Sequence, residues 1–230
     1  MLSACVEHNI QKVVMTSSIA AMAPNFYSKK IHKNKESWAS LKESSGYIKS
    51  KTLAEREAWK IYFRSKGKLN LTVICPGLVL GEYIMPSYTE SSKIIIELFK
   101  APAIVPYAFH TVSIQSVVDA HLNSLKKPEL TRGKRYILVE NTYWIEDFVR
   151  ILRERFEKDG YKFPKFHAPY MAVKMMSYVK EDMASIIKGW NVRYDYDTAE
   201  STKDLEIKWR YHRDYIIESA ESLIENGFIK

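Results

Sequence analysis

The hydrophobic positions change period several times along the chain, and each change marks an element. Residues 2–9 have helical character and break at His8-Asn9. "KVVMTSS" (12–18) is a short β-branched run ending in hydroxyl residues, which predicts a buried strand whose end opens into a loop. Residues 19–45 contain Pro24, Asn25, basic residues and Trp38 with no sustained period, and read as an irregular loop. From Tyr47 to about Phe63 the pattern is helical: Tyr47, Lys51, Ala54, Ala58 and Tyr62 fall near one face, and Gly67 ends the run. "LNLTVICPG" (69–77) predicts the next strand, stopped by Pro76-Gly77. Strand, loop, helix, strand is a βαβ unit, whose two strands lie parallel in one sheet. In open α/β sheets ligands bind outside the carboxyl ends of the strands. Ser17-Ser18 and Pro76-Gly77 stand at those ends, so two separate segments are expected to face one crevice.

Further along, the pattern predicts a helix at 90–100, the proline-spaced "APAIVPYAF", a helix at 114–126 and a strand at 134–139. A helix at 144–160 ends at Gly160, and the Met-rich stretch 170–190 reads as one further helix. A last amphipathic helix runs from about Asp214 to Glu225, where Asn226-Gly227 stops it. The sequence shows no internal repeat and no low-complexity linker.

Composition narrows the picture. With 230 residues at 46% hydrophobic, the chain can bury a sizeable core, in one domain or one domain with an appendage. The net charge of +8 comes from scattered lysines, and its densest stretch, Lys29 to Lys35, is short. That is a solvated surface rather than a nucleic-acid interface. Cys5 and Cys75 lie far apart without metal-ligand spacing, as expected of buried thiols in a reducing compartment, and point to the cytoplasm. The six histidines form no paired-ligand pattern, so no metal is expected. No apolar run reaches the roughly 18–20 residues of a membrane span, and the opening residues lack the order of a signal peptide.

The candidate chemistry is a tyrosine four residues before a lysine. The spacing occurs four times, at Tyr47/Lys51, Tyr62/Lys66, Tyr161/Lys165 and Tyr170/Lys174, and by itself is as compatible with packing as with catalysis. Only Tyr47/Lys51 follows a strand ending in two serines and lies at the start of a helix that a second strand holds to the sheet. A lysine one turn on shares the tyrosine's face, and its charge favours the phenolate. Such a tyrosine exchanges a proton with a carbonyl or alcohol oxygen, which a strand-end serine can hold.

On these residues the chain resembles an extended short-chain dehydrogenase/reductase of the NAD-dependent epimerase/dehydratase superfamily. The dihydroflavonol reductase/cinnamoyl-CoA reductase branch is the most similar. The resemblance rests on "KVVMTSSIAA", "GYIKSKTLAEREAWK", "LNLTVICPGLVLG", "DAHLNSL" followed by "GKRYIL", and "SAESLIENGFIK", in the family's order. It implies an α/β fold: a Rossmann-like parallel sheet with flanking helices over residues 1–80, and a small C-terminal substrate lobe over 81–230. Segments at about 111–140 would return to the sheet. It implies Ser18 as the residue orienting a substrate carbonyl, Tyr47 as the proton donor or acceptor, and Lys51 as its cationic neighbour and ligand of the nicotinamide ribose. Thr16, Ser17, Pro76, Gly77 and Val79 would border the cofactor, NADP or NAD with NADP favoured. Ser17 also reads as a polar group turned inward. The implied reaction is hydride transfer to an aldehyde or ketone, or from the alcohol.

Two departures stand out. The family's glycine-rich G-x-x-G-x-x-G turn, which seats the cofactor diphosphate, has no counterpart here, so the first half of the sheet is expected to be missing. Ser113 and Ser116 stand where the family usually has aspartates. The chain is then a shortened enzyme, or a non-catalytic subunit or scaffold whose exposed sheet edge a partner chain covers. An epimerase or dehydratase uses the same tyrosine and lysine. Substrate choice would fall to about 80–110 and 160–195, which hold Tyr83, Met85, Tyr88, Phe109, Met175, Met176 and Tyr178, in a pocket or in ordinary packing.

Overall fold

The computed structural model describes residues 1–22, 31–42, 44, 46–83, 89–210 and 212–230. Pro24, Asn25, Lys29, Met85 and Tyr88 lie outside the described residues. In chain order the elements begin with α1 (Leu2–Glu7), β1 (Lys12–Thr16), a 3-10 turn (Ile19–Met22), β2 (Ile31–Lys33) and α2 (Gly46–Arg64). There follow β3 (Asn70–Pro76), β4 (Leu78–Leu80), α3 (Glu90–Lys100), β5 (Ala108–Ser113), α4 (Ile114–Lys126) and α5 (Pro128–Thr131). The remainder comprises β6 (Arg135–Leu138), β7 (Asn141–Trp144), α6 (Ile145–Phe156), α7 (Tyr170–Met176), α8 (Glu181–Lys188), β8 (Tyr194–Tyr196), α9 (Ala199–Asp204) and α10 (His212–Glu225).

The chain divides into two compact units. The first comprises Met1–Gly77, Gln115–Val139 and Tyr194–Trp209. Its main sheet has the order β1-β3-β6, with both pairings parallel, as a βαβ unit requires. β3 is buried along nearly its whole length, which is why "LTVICP" reads as a continuous apolar run. Leu69, Leu71, Val73, Cys75, Ile137 and Ala58 form the core under α2. A second small sheet pairs β2 with β8 in parallel.

The second unit comprises Leu78–Ile114, Glu140–Arg193 and Arg210–Lys230. β4 pairs parallel with β5, and β5 antiparallel with β7. α3, α6 and α10 close over a core of Ile95, Phe148, Leu152, Phe156, Tyr215 and Ile216. Gly81 has φ +144°, and a β-carbon there would lie 2.5 Å from Ile114 Cγ2, so only glycine fits the turn after β4.

The structure corrects several expectations. The second unit is comparable in length to the first rather than a small lobe, and 194–209 joins 115–139 in returning to the first. The stretch 19–45 contains a 3-10 turn and β2. Residues 170–190 form two helices, because the Ser177 hydroxyl donates to the Lys174 carbonyl (2.7 Å) and Tyr178 and Val179 turn out to solvent. On α2, Ala54 is exposed, and the buried face is formed by Thr52, Glu55 and Ala58.

Candidate active site

The parallel register sets Thr16 opposite Ile74, so β1 and β3 end together and bring Thr16, Ser17, Ser18, Pro76 and Gly77 to one edge of the first unit's sheet. The Ser17 amide donates to the Ile74 carbonyl (2.7 Å), and the Gly77 amide to the Leu138 carbonyl (2.9 Å). These bonds carry the ladder past the strand ends and hold the loops they begin. Val79 lies in β4, in the second unit.

The three hydroxyl residues after Met15 have different surroundings. Thr16 Oγ1 lies 2.7 Å from His121 Nε2, and His121 Nδ1 lies 2.7 Å from the Val117 carbonyl. A carbonyl only accepts, so Nδ1 carries a proton, and in the neutral ring Thr16 donates to Nε2. Ser17 is buried and donates to Glu55 Oε2 at 2.6 Å, so the hydroxyl turns inward and is occupied. Ser18 is partly buried; its Oγ accepts from the Ala20 amide (3.1 Å) and starts the 3-10 turn that packs on α2.

Tyr47 stands in the first turn of α2 with its side chain half exposed, at 51%. Lys51 Nζ lies 6.0 Å from the centre of its ring, at the outer limit of a cation–π contact. Neither Tyr47 Oη nor Lys51 Nζ has a hydrogen-bond partner among the described residues. The carboxylate that helical spacing offers Lys51, Glu55 at i+4, is engaged with Arg135. The structure thus brings tyrosine and lysine together on one helix and sets the serine-bearing turn against that helix. Of the other tyrosine–lysine spacings, the Tyr62 ring packs on Trp59 and Lys165 pairs with Glu157, while Lys174 lies over Tyr170 at 5.9 Å, the same contact as in Tyr47/Lys51.

Two residues to which the sequence reading gave no role form a buried ion pair between α2 and the sheet. Glu55 is fully buried and takes Arg135 Nε at 2.5 Å and an Arg135 terminal nitrogen at 3.1 Å. Trp59 Nε1 donates to the same carboxylate (3.2 Å), and Cys75 Sγ lies 3.7 Å away. Burial, and then the Glu55 charge, push the Cys75 thiol up to about 12, so it stays protonated and unreactive. Arg135 also donates to the carbonyls of Lys35 (2.9 Å) and Ser37 (2.5 Å) and stacks 4.1 Å from the Trp38 ring. Only Glu55's helical position, two turns from Tyr47, could have flagged it. Arg135 is 80 residues away in sequence and gives no local signal.

Among the described residues no group of histidines, cysteines or carboxylates could hold a metal, and no helix is long and apolar enough to cross a membrane. Of the residues named for a substrate, Tyr83 is partly buried and Phe109 packs on Phe148, whereas Met175, Met176 and Tyr178 are exposed.

The family model of the 3-beta hydroxysteroid dehydrogenase/isomerase family matches residues 1–166. A cinnamoyl-CoA reductase (CAD2) of Medicago truncatula is 29% identical over 236 residues, covering 99% of this chain and 65% of that protein. A dihydroflavonol 4-reductase of Dianthus caryophyllus is 28% identical over 200 residues, covering 81% of this chain and 50% of its own length. The chain therefore spans two thirds or less of these relatives. Yeast methylglyoxal/isovaleraldehyde reductase Gre2, solved with NADPH, superposes with a TM-score of 0.74 at 24% identity, covering 95% of this chain and 65% of that one. That likeness identifies the fold as Rossmann-type.

Proposed function

The chain belongs to the 3-beta hydroxysteroid dehydrogenase/isomerase family, and on that footing we propose that it holds the proton-transfer half of a nicotinamide-dependent carbonyl reductase site. Ser18, Tyr47 and Lys51 are its catalytic residues. The observation that carries this reading is the pairing of a half-exposed Tyr47 with a Lys51 ammonium that has no carboxylate partner among the described residues, on the helix against which the Ser18 turn packs. An ammonium left in that state beside a phenol is available to a ribose hydroxyl and to the phenolate alike.

The residues present fit the nicotinamide end of such a cofactor. Lys51 would hold the ribose, and the backbone of Thr16–Ser17 and Pro76–Gly77 would border the ring. NADP is the favoured form, since the yeast Gre2 structure is a complex with NADPH. When bound, such a cofactor would supply the hydride chemistry of the reduction. Ser18 Oγ orients the carbonyl oxygen, and Tyr47 Oη gives that oxygen its proton, so an aldehyde or ketone becomes the alcohol. Lys51 stabilises the phenolate left behind, and solvent at the exposed ring returns the proton. In the oxidative direction the same atoms run in reverse.

A second reading, a non-catalytic subunit, is favoured by one observation. Among the described residues β1 is an edge strand of its sheet, with Val13, Val14 and Met15 only partly covered. A partner chain pairing along β1 would bury that edge.

Fluorescence titration of the chain with NADPH and NADH, followed by turnover of methylglyoxal, separates the two readings. The enzyme reading expects NADPH binding, and in Tyr47→Phe the loss of turnover with binding retained. Binding of neither dinucleotide would leave the subunit reading standing. Full turnover in Tyr47→Phe would remove Tyr47 from the mechanism.

A further inference from the structure

One turn along α2 from Lys51 and two from Tyr47, Glu55 sits in the middle of the helix's buried face. Its carboxylate joins four separate segments. Oε2 takes the Ser17 hydroxyl at the end of β1 (2.6 Å) and approaches Cys75 of β3 (3.7 Å). Oε1 takes Arg135 of β6 (2.5 Å) and the Trp59 indole of its own helix (3.2 Å). Arg135 in turn holds the carbonyls of Lys35 and Ser37 and lies over Trp38, which fixes the segment leading into α2.

A buried charge pair is a poor source of stability, since its desolvation rivals its attraction. What this one supplies is direction. A hydroxyl–carboxylate bond of 2.6 Å is short and charge-assisted, and it tolerates little change in distance or angle. Its donor is the residue immediately before Ser18, and its acceptor shares a helix with Tyr47 and Lys51. The Arg135 contacts prevent the carboxylate from swinging away.

We infer that Glu55 is the positioning residue of the catalytic group: through Ser17 it fixes the serine-bearing end of β1 in depth and rotation against the helix that presents Tyr47 and Lys51. This rests on the reading of those three residues given under the proposed function. Neither Glu55 nor Ser17 Oγ touches the reacting atoms; both act through Ser18.

Ser17→Ala removes the link while leaving the Glu55–Arg135 pair intact, so no buried charge is uncovered. Ser17→Thr restores a hydroxyl. Tyrosines of the chain are labelled with 13C at Cζ, and the Tyr47 resonance is identified by its loss in Tyr47→Phe. In Ser17→Ala that resonance shifts by more than its linewidth, and in Ser17→Thr it moves back towards the parent position. In turnover of methylglyoxal with NADPH, Ser17→Ala lowers kcat about tenfold or more with KM changed less than about threefold, the pattern of a group felt in the transition state. An unmoved resonance together with an unchanged kcat overturns the inference. If Tyr47→Phe turns over like the parent, or the parent does not turn over, the catalytic reading fails instead. The Tyr47 resonance alone then decides the positioning role, a shift sustaining it and no shift overturning it.

Discussion

Each of the two units is held together internally by a different means. In the first, β1-β3-β6 and α2 enclose charge: Glu55 against Arg135, and Asp204 against the Lys134 ammonium (2.6 Å) and the buried Tyr136 hydroxyl (2.9 Å). The second is filled with rings. Phe99 meets Phe156, Tyr161 and Phe163 at centroid distances of 5.7, 5.4 and 4.9 Å, and Phe148 meets Phe109 and Tyr143 at 5.8 Å each. Aromatic packing gains from area and tolerates modest slippage. A buried hydrogen-bonded carboxylate tolerates almost none. The unit with the tyrosine–lysine helix is the one built to fix angles, and the other is built to fill volume.

Replacing one anchor in each unit gives the largest effects. Arg135→Ala leaves Glu55 buried without its cation and is expected to cost ~3–5 kcal/mol in urea unfolding. Phe148→Ala is expected to cost ~3–5 kcal/mol through the cavity it opens.

A smaller effect sharpens the same contrast. Replacing both partners, Glu55→Met with Arg135→Met, is expected to recover at least ~2 kcal/mol of the Arg135→Ala loss, because no charge remains buried. A double variant as unstable as the single one would mean that packing, and not charge, holds α2 to the sheet.

Acid titration tests a pair of carboxyls with opposite signs. Burial would raise the Asp204 carboxyl, but hydrogen bonds from Lys134 and Tyr136 outweigh it and hold it below its ordinary 3.8. Its contribution to stability is therefore present above that value and drains as pH falls through the lower folded value. In the second unit, burial holds the Glu140 carboxyl above its ordinary 4.5, although the amides of Ser113 (2.9 Å) and Arg210 donate to it. Its contribution is full below 4.5 and is lost as pH rises through the raised folded value. Urea midpoints followed against pH should flatten at the acid end in Asp204→Asn and lose a decline at higher pH in Glu140→Gln. The same change in both variants would contradict the assignment.

The smallest effect belongs to the exposed turn between α7 and α8. Val179 is 87% exposed, and Val179→Ser should alter the unfolding free energy by no more than ~0.5 kcal/mol. A larger loss would mean that this turn packs more closely than its exposure implies.

By itself the sequence determined the local elements and the order of the βαβ unit. "KVVMTSS" and "LTVICPG" are short apolar, β-branched runs and "GYIKSKTLAEREAWK" has a period of 3.6, patterns that local sterics and burial enforce, and β1, α2 and β3 lie where those patterns put them. It also placed Tyr47 and Lys51 on one face, since four residues make one turn. Of the strands of three or four residues, β6 is legible as the apolar run at 134–139, whereas β2, β4, β7 and β8 take their shape from the neighbours they pair with. The centre of α2's buried face was hidden because two of its residues, Thr52 and Glu55, are polar, and polarity reads as exposure until a partner is known. That partner, Arg135, reaches Glu55 only because β6 lies beside β3 in the folded sheet. Only tertiary structure could decide whether this glutamate is a solvated charge or the buried clasp between a strand end and a helix, because its state is set by a cation supplied from a distant part of the chain.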